Sequence, residues 1–234
     1  MSRTRPIVAI DGPAGSGKTT VSRLVAQRLG YVVLDTGALY RTLALATSRA
    51  GLEPERDDLG PFCEQLVARG AIVFEPGADG VSGVLLDGED VSLLIRTPEM
   101  SSRASVVSAL PAVRKALLDL QRSMGKGGGV VVEGRDIGTV VFPEAESKFF
   151  LTASLDRRAE RRFRELTTRD PPTLGVVKNQ VAERDQRDSE RAVAPLLRAE
   201  DAEFLDSSDL GIEQVVERIV SSVQRTEAKL KASP

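Results

Sequence analysis

Histidine is absent from the 234-residue chain, and cysteine occurs once. Without histidine, Ser-His-Asp and Cys-His nucleophilic machinery and histidine metal sites are excluded. Phosphoryl transfer is not, because it depends on positioning and charge stabilisation that lysine and arginine supply. The lone Cys63 forbids an intrachain disulfide, and it is predicted to be a small core residue on a helix in a protein of the reducing cytoplasm. No apolar run approaches the ~18 residues of a membrane span. Arg3 and Arg5 lead straight into a strand, without the apolar segment and cleavage site of a signal peptide. Charge of one sign is not in excess either. The 32 basic and 34 acidic residues give a net charge of −2, which offers no general attraction to nucleic acid or membranes. At 41% hydrophobic and 28% charged, the composition is that of a globular protein with one sizeable core and room for a small insert.

What is present begins at residues 12–19, which read GPAGSGKT and satisfy the phosphate-loop pattern G-x-x-x-x-G-K-[ST]. The context is right as well. Residues 7–10 are an apolar strand, and Val21, Leu24, Val25 and Leu29 recur with helical spacing. Gly12, Gly15 and Gly17 let backbone N–H groups turn inward around phosphate oxygens, and the helix N-terminus adds its positive end. Lys18 contributes a mobile charge as a catalytic group, and the Thr19 hydroxyl is a candidate Mg²⁺ ligand. Pro13, Ala14, Ser16 and Thr20 complete the expected ATP-binding segment. A glycine-rich turn without a ligand would not need strand, loop, Lys-Thr and helix in this order.

Further strands are predicted at 31–34, 130–132, 148–151 and 203–205, with helices between them. One helix covers 43–50, and two more open at Pro98 and Pro111. A last one buries Ile212, Val215, Val216, Ile219, Val220 and Val223 on one face. Strands without alternation, interleaved with helices, specify a parallel sheet covered on both sides. The expected fold is therefore the α/β three-layer P-loop fold. Residues 60–95 break the rhythm with short strands at 71–74 and 84–87, a Pro-Gly-Ala-Asp-Gly turn region between them, and a second turn at Asp87-Gly88. They read as a small antiparallel insert, leaving 1–59 and 96–234 as core. Residues 126–129 read as a flexible connector, and 229–234 as a fraying tail.

Four charged segments join the loop. After the second strand, DTGALYR at 35–41 faces the phosphate loop; Thr36 is a candidate helix cap, and Arg41 can reach a second phosphate. EGRDIGT at 133–139 puts an arginine and a carboxylate at the same sheet edge, costly beside a buried strand unless paired or used. Residues 157–164 carry five arginines, of which Arg158, Arg161 and Arg162 share a helix face that could close over a triphosphate. In ERDQRDSER at 183–191, Arg184, Asp188 and Arg191 line up plus, minus, plus, a face able to grip a sugar and a base edge. Each segment has an alternative reading as a solvated or salt-bridged surface. Together they indicate a P-loop kinase with a small anionic acceptor.

These pieces resemble the bacterial cytidylate kinases. The resemblance rests on DGPAGSGKTT at 11–20, DTGALYR at 35–41, GEDVS at 88–92 and IRTPE at 95–99. It continues through EGRDIGTVVFP at 133–143, ERDQRDSER at 183–191 and AVAP at 192–195, in family order over nearly the whole chain. It implies a core, a monophosphate-binding insert at 60–95 and a helical lid at about 155–172. It also implies a monomer that converts ATP plus CMP or dCMP to ADP plus CDP or dCDP with Mg²⁺. By the same resemblance, Arg41 and Arg135 hold the acceptor phosphate, with Thr36 standing where the family often has serine. Ser105, Arg114, Asp136 and Arg191 surround cytosine, and Arg184 with Asp188 meets the sugar. Arg158 and Arg161 are the candidate catalytic lid arginines. Glu133 stands where the family often has aspartate. Cytosine donates from N4 and accepts at O2 and N3, whereas uracil would set a carbonyl against a carboxylate. An unpaired buried acceptor costs about 1–3 kcal/mol, roughly 5- to 150-fold. The competing readings are a P-loop kinase of UMP, AMP or a shikimate-like metabolite, and a nucleotide-dependent switch. The chain lacks the guanine-reading N-K-x-D of such a switch.

Overall fold

The computed structural model describes residues 3–54, 57–75, 83–166 and 172–232. At its centre is β1 (Ile7–Asp11), buried at every position. It is flanked in parallel by β6 (Val130–Gly134) and β7 (Ser147–Thr152). β2 (Val32–Asp35) and β8 (Glu203–Asp206) complete a five-stranded sheet of order β2-β6-β1-β7-β8, in which all pairs are parallel. The run Ile7-Val8-Ala9-Ile10 shows no polar alternation because both faces are covered. Val8 and Ile10 pack against α1 (Lys18–Leu29) and α8 (Ile212–Ala232), and Ile7 and Ala9 pack on the opposite side with Val130, Val132 and Phe142. The three-layer α/β fold is the one the strand pattern predicts.

The helices on the second face are α2 (Thr36–Arg49), α3 (Gly60–Ala68), α4 (Pro98–Val107) and α5 (Pro111–Gly125). Both prolines open their helices as expected, and the Thr97 hydroxyl caps α4 by accepting from the Met100 N–H. These helices share one apolar cluster with a small antiparallel sheet, β3 (Ile72–Glu75), β4 (Gly83–Leu86) and β5 (Glu89–Asp90). Cys63 is fully buried in that cluster, on α3, as expected. The remaining helices are α6 (Leu155–Glu165) and α7 (Leu174–Glu190).

Five details differ from expectation. α2 starts at Thr36 rather than at 43, because the Asp35 carboxylate accepts from the Ala38 N–H at 3.0 Å and caps it. Thr36 is thus the first residue of the helix and not its cap. The 60–95 region contains α3 and the third strand β5 besides its two expected strands. The 126–129 connector is a fixed turn: the Gly129 N–H donates to Pro6 O at 3.0 Å. Gly128 has φ 69°, and a Cβ there would lie 2.1 Å from Arg5 O. The C-terminal segment stays helical through Ala232, with a Glu227–Lys231 ion pair at 2.6 Å. The turn region at 76–80 lies outside the described residues, as do 167–171 of the expected lid.

Candidate active site

The carboxyl ends of β1, β2 and β6 open into a cleft of about 510 Å³, where a parallel sheet places its ligands. The loop after β1 forms its floor. A Cβ at Gly12 would sit 1.9 Å from Leu151 O, so only glycine lets the loop leave the sheet there. Lys18 is 7% exposed, and its Nζ donates to Gly12 O and Pro13 O at 2.8 Å and to Ser16 Oγ at 3.3 Å. Burial, and then the charge of Arg135, pull its pKa well below the usual lysine value. The ammonium is held by the loop's own carbonyls at the place where phosphate oxygens would replace them.

Next to the loop, the Thr19 hydroxyl donates to Glu133 Oε2 at 3.0 Å, while Glu133 Oε1 is buried without a partner. Burial and the neighbouring Asp35 charge push the Glu133 carboxyl up to about 7. Thr36 is buried, and its hydroxyl donates to the Glu133 carbonyl at 2.7 Å, fixing the start of α2 on β6.

A cluster of cations fills the middle of the cleft. Arg41, from α2, contacts Asp35 at 2.8 Å, and its Nε is buried without a partner. Arg135, from the end of β6, donates to Asp188 Oδ2 of α7 at 2.8 Å. Arg184 also has a buried, unpartnered Nε, and burial together with Arg135 lowers its pKa to about 10. Burial pushes the Asp188 carboxyl up, but Arg135 and Arg184 outweigh it and bring the pKa below the usual range. Over the whole cleft lining, eight lysine and arginine side chains stand against six carboxylates, an arrangement suited to a multiply charged anion.

Beyond the cations lies a paired polar wall. Asp136, 4% exposed, makes a tight pair with Arg114 and a longer one with Arg191 at 3.4 Å. Burial nevertheless raises its pKa. Ser105, on α4, accepts from Arg187 Nη1 of α7 at 2.9 Å. Arg187 was not singled out from the sequence, although its spacing puts it on the face of Arg184, Asp188 and Arg191.

The structure does not bring Arg158 and Arg161 to the cleft. Arg158 lies behind the loop, donating to Ala153 O at 2.9 Å and Ala14 O at 3.0 Å and pairing with Asp185. Arg161 donates to Ser16 O at 3.2 Å and to Ser207. Arg161 and Arg162 flank Arg158 on opposite sides of α6, about 60° and about 40° away, and the side of Arg162 is the one that lines the cleft. Sequence spacing identified a shared face but not which arginine of it turns inward.

The sequence profile of a family described as cytidylate kinase matches residues 8–225. Cytidylate kinase of Geobacter sulfurreducens is 49% identical over 223 residues, covering 94% of each chain. That of Pseudomonas fluorescens is 46% identical, covering 95% of this chain and 97% of its own. A crystal structure of an uncharacterised protein from Eubacterium ventriosum superposes with a TM-score of 0.52 at 13% identity, over 94% of this chain and 99% of that one, a likeness of fold alone. The phosphate loop, the cation cluster and the paired wall all fall within the matched residues, and the chain belongs to the cytidylate kinase family.

Proposed function

We propose that the protein transfers the γ-phosphoryl group of ATP to CMP or dCMP, giving ADP and CDP or dCDP. The observation that carries this reading is the mutual crowding of Arg41, Arg135 and Arg184 opposite the phosphate loop, with two buried guanidinium nitrogens unpartnered. Two phosphate-bearing molecules meeting head to head would satisfy both groups. ATP phosphates lie along the loop, and Lys18 exchanges its loop carbonyls for phosphate oxygens. The acceptor phosphate sits among Arg41, Arg135 and Arg184. It is anionic at neutral pH and needs no general base. The base faces Ser105, Arg114, Asp136 and Arg191, and the sugar faces Arg184 and Asp188. In this reading residues 60–95 form the acceptor-side insert and 155–172 the lid. Arg162 takes the role over the γ-phosphate that the resemblance suggested for Arg158 or Arg161, because it is the one of the three that lines the cleft.

Thr19 and Glu133 are hard oxygen donors, and the buried, unpartnered Glu133 Oε1 fits a divalent cation there. Mg²⁺ bound there would neutralise charge on the β and γ phosphates. The chain's own contribution is to hold both anions in line and exclude water.

The test is ADP release with Mg-ATP and equal concentrations of CMP, dCMP, UMP, AMP, GMP and shikimate. Turnover of CMP and dCMP well above UMP is expected, since Asp136 accepts from a cytosine N4 and opposes a uracil O4. Preference for another acceptor would overturn the base assignments.

A further inference from the structure

The Ala14 residue of the phosphate loop is gripped from three sides by the same two helices. Its N–H donates to Asp185 Oδ1 of α7 at 3.1 Å. Its C=O accepts from Arg158 Nη1 of α6 at 3.0 Å. Its methyl group packs with Val177 and Val181 of α7 and with Leu155, Phe163 and Leu166 of α6. Arg158 and Asp185 also pair with each other, closing a ring through one residue of the loop. Two residues on, Ser16 O accepts from Arg161 at 3.2 Å. Where a loop's N–H groups turn toward an anion, the carbonyls that do not hold Lys18, as those of Gly12 and Pro13 do, point the other way. Arg158 and Arg161 occupy two of those outward carbonyls.

From this we infer that Asp185, with Arg158 and Arg161, is a positioning set for the phosphate loop, acting on ATP through the backbone of Ala14 and Ser16. Asp185 takes the Ala14 N–H out of the set available to phosphate, and the two arginines hold the neighbouring carbonyls turned away from the cleft. The loop is therefore organised for ATP only while α6 and α7 keep their present places. The inference rests on the kinase reading for what the loop holds, but it concerns donor binding and is separable from acceptor choice.

The experiment measures equilibrium binding of a fluorescent, non-hydrolysable ATP analogue and of CMP to the full chain, with thermal midpoints recorded alongside. It compares Asp185→Asn, Arg158→Gln, the double variant carrying both, and Arg161→Lys. Each single variant at the ring is expected to weaken the ATP analogue by about 10-fold or more, with CMP affinity within about 2-fold. The double variant replaces a charged pair with a neutral amide pair, and it is expected to bind the analogue better than the product of the two single losses predicts. Arg161→Lys keeps the charge but not the forked geometry, and it is expected to weaken the analogue about 3-fold. Unchanged ATP affinity in Asp185→Asn overturns the proposal, and so do equal losses for ATP and CMP, which mark general destabilisation. If a ring variant fails to fold, Arg161→Lys decides: unaltered ATP binding there overturns the proposal. A wrong acceptor assignment would instead show as absent CMP binding in the unmodified protein, with the ATP results still readable.

Discussion

At the scale of single residues, the site is legible where chemistry demands one residue type and opaque where orientation decides. Lys18, Arg41, Arg135, Asp136, Arg184 and Asp188 were all singled out from the sequence, and all line one cleft. A charged side chain next to a buried strand or in a phosphate loop has few other uses. The arginines of α6 are the opposite case. Arg158, Arg161 and Arg162 are chemically identical and share a face, and only packing shows that the first two turn onto the back of the phosphate loop. This reassigns a prediction. Arg162→Ala is expected to lower kcat about 10²- to 10³-fold, with KM for CMP changed by less than about 3-fold, because a donor over a transferring group acts mainly in the transition state. Steady-state kinetics at saturating ATP measures this. A loss confined to KM would place Arg162 in ground-state binding instead.

Elements were legible through periodicity, and their ends were not. All five parallel strands were predicted within a residue or two of where they lie, β1, β2 and β6 from unbroken β-branched or apolar runs and β7 and β8 from short aromatic ones between helices. The start of α2 was missed because its cap, Asp35, doubles as the partner of Arg41 and reads from the sequence as part of a ligand motif. The fixed turn at 126–129 was missed because glycine that is required and glycine that is flexible look alike until the chain it meets, at Arg5, is known. The junction of β1 with the turn after β6 carries a pH prediction. The Asp11 carboxylate accepts from the Ile137 and Gly138 N–H groups, both at 2.8 Å. Burial nonetheless raises its pKa from 3.8 to about 6. The two N–H groups and Lys18 oppose that rise, and Asp136 adds to it. A raised carboxyl favours the folded state most below the unfolded value and loses that contribution as pH rises through the folded one. The Asp11 contribution is therefore expected to decline between pH 3.8 and about 6 and to be flat above. Thermal midpoints of the unmodified protein and of Asp11→Asn across that window test it: their difference should change with pH inside the window and be constant beyond it. A difference independent of pH throughout would mean that the Asp11 carboxyl has the same pKa in the folded and unfolded chain.

Across the whole molecule, three apolar clusters lie on the two faces of the sheet and around the small antiparallel sheet and a fourth backs the phosphate loop at Ala14, while Arg41, Arg135, Arg184 and Lys18 crowd together at the sheet's carboxyl edge. Like charges held together by the rest of the fold are a standing cost in the ligand-free state: burial lowers the pKa values of Lys18 and Arg184 most, and the Arg135 charge lowers both further. An anion that enters the cluster removes this repulsion and binds the folded state alone, so it should stabilise the whole chain. With CMP at about 100 times its dissociation constant, linkage gives about 2.7 kcal/mol. For a chain of this size, that is a rise in Tm of about 5–10 °C. Cytidine lacks the phosphate and should give far less at the same concentration, because it meets the paired wall of Asp136, Arg114 and Arg191 but leaves the cations unneutralised. Thermal unfolding with CMP, cytidine and inorganic phosphate distinguishes the two halves of the acceptor site. Equal stabilisation by CMP and cytidine would mean that the cation cluster is not where the acceptor phosphate binds. Stabilisation by phosphate comparable to that by CMP would mean that the paired wall does not read the base.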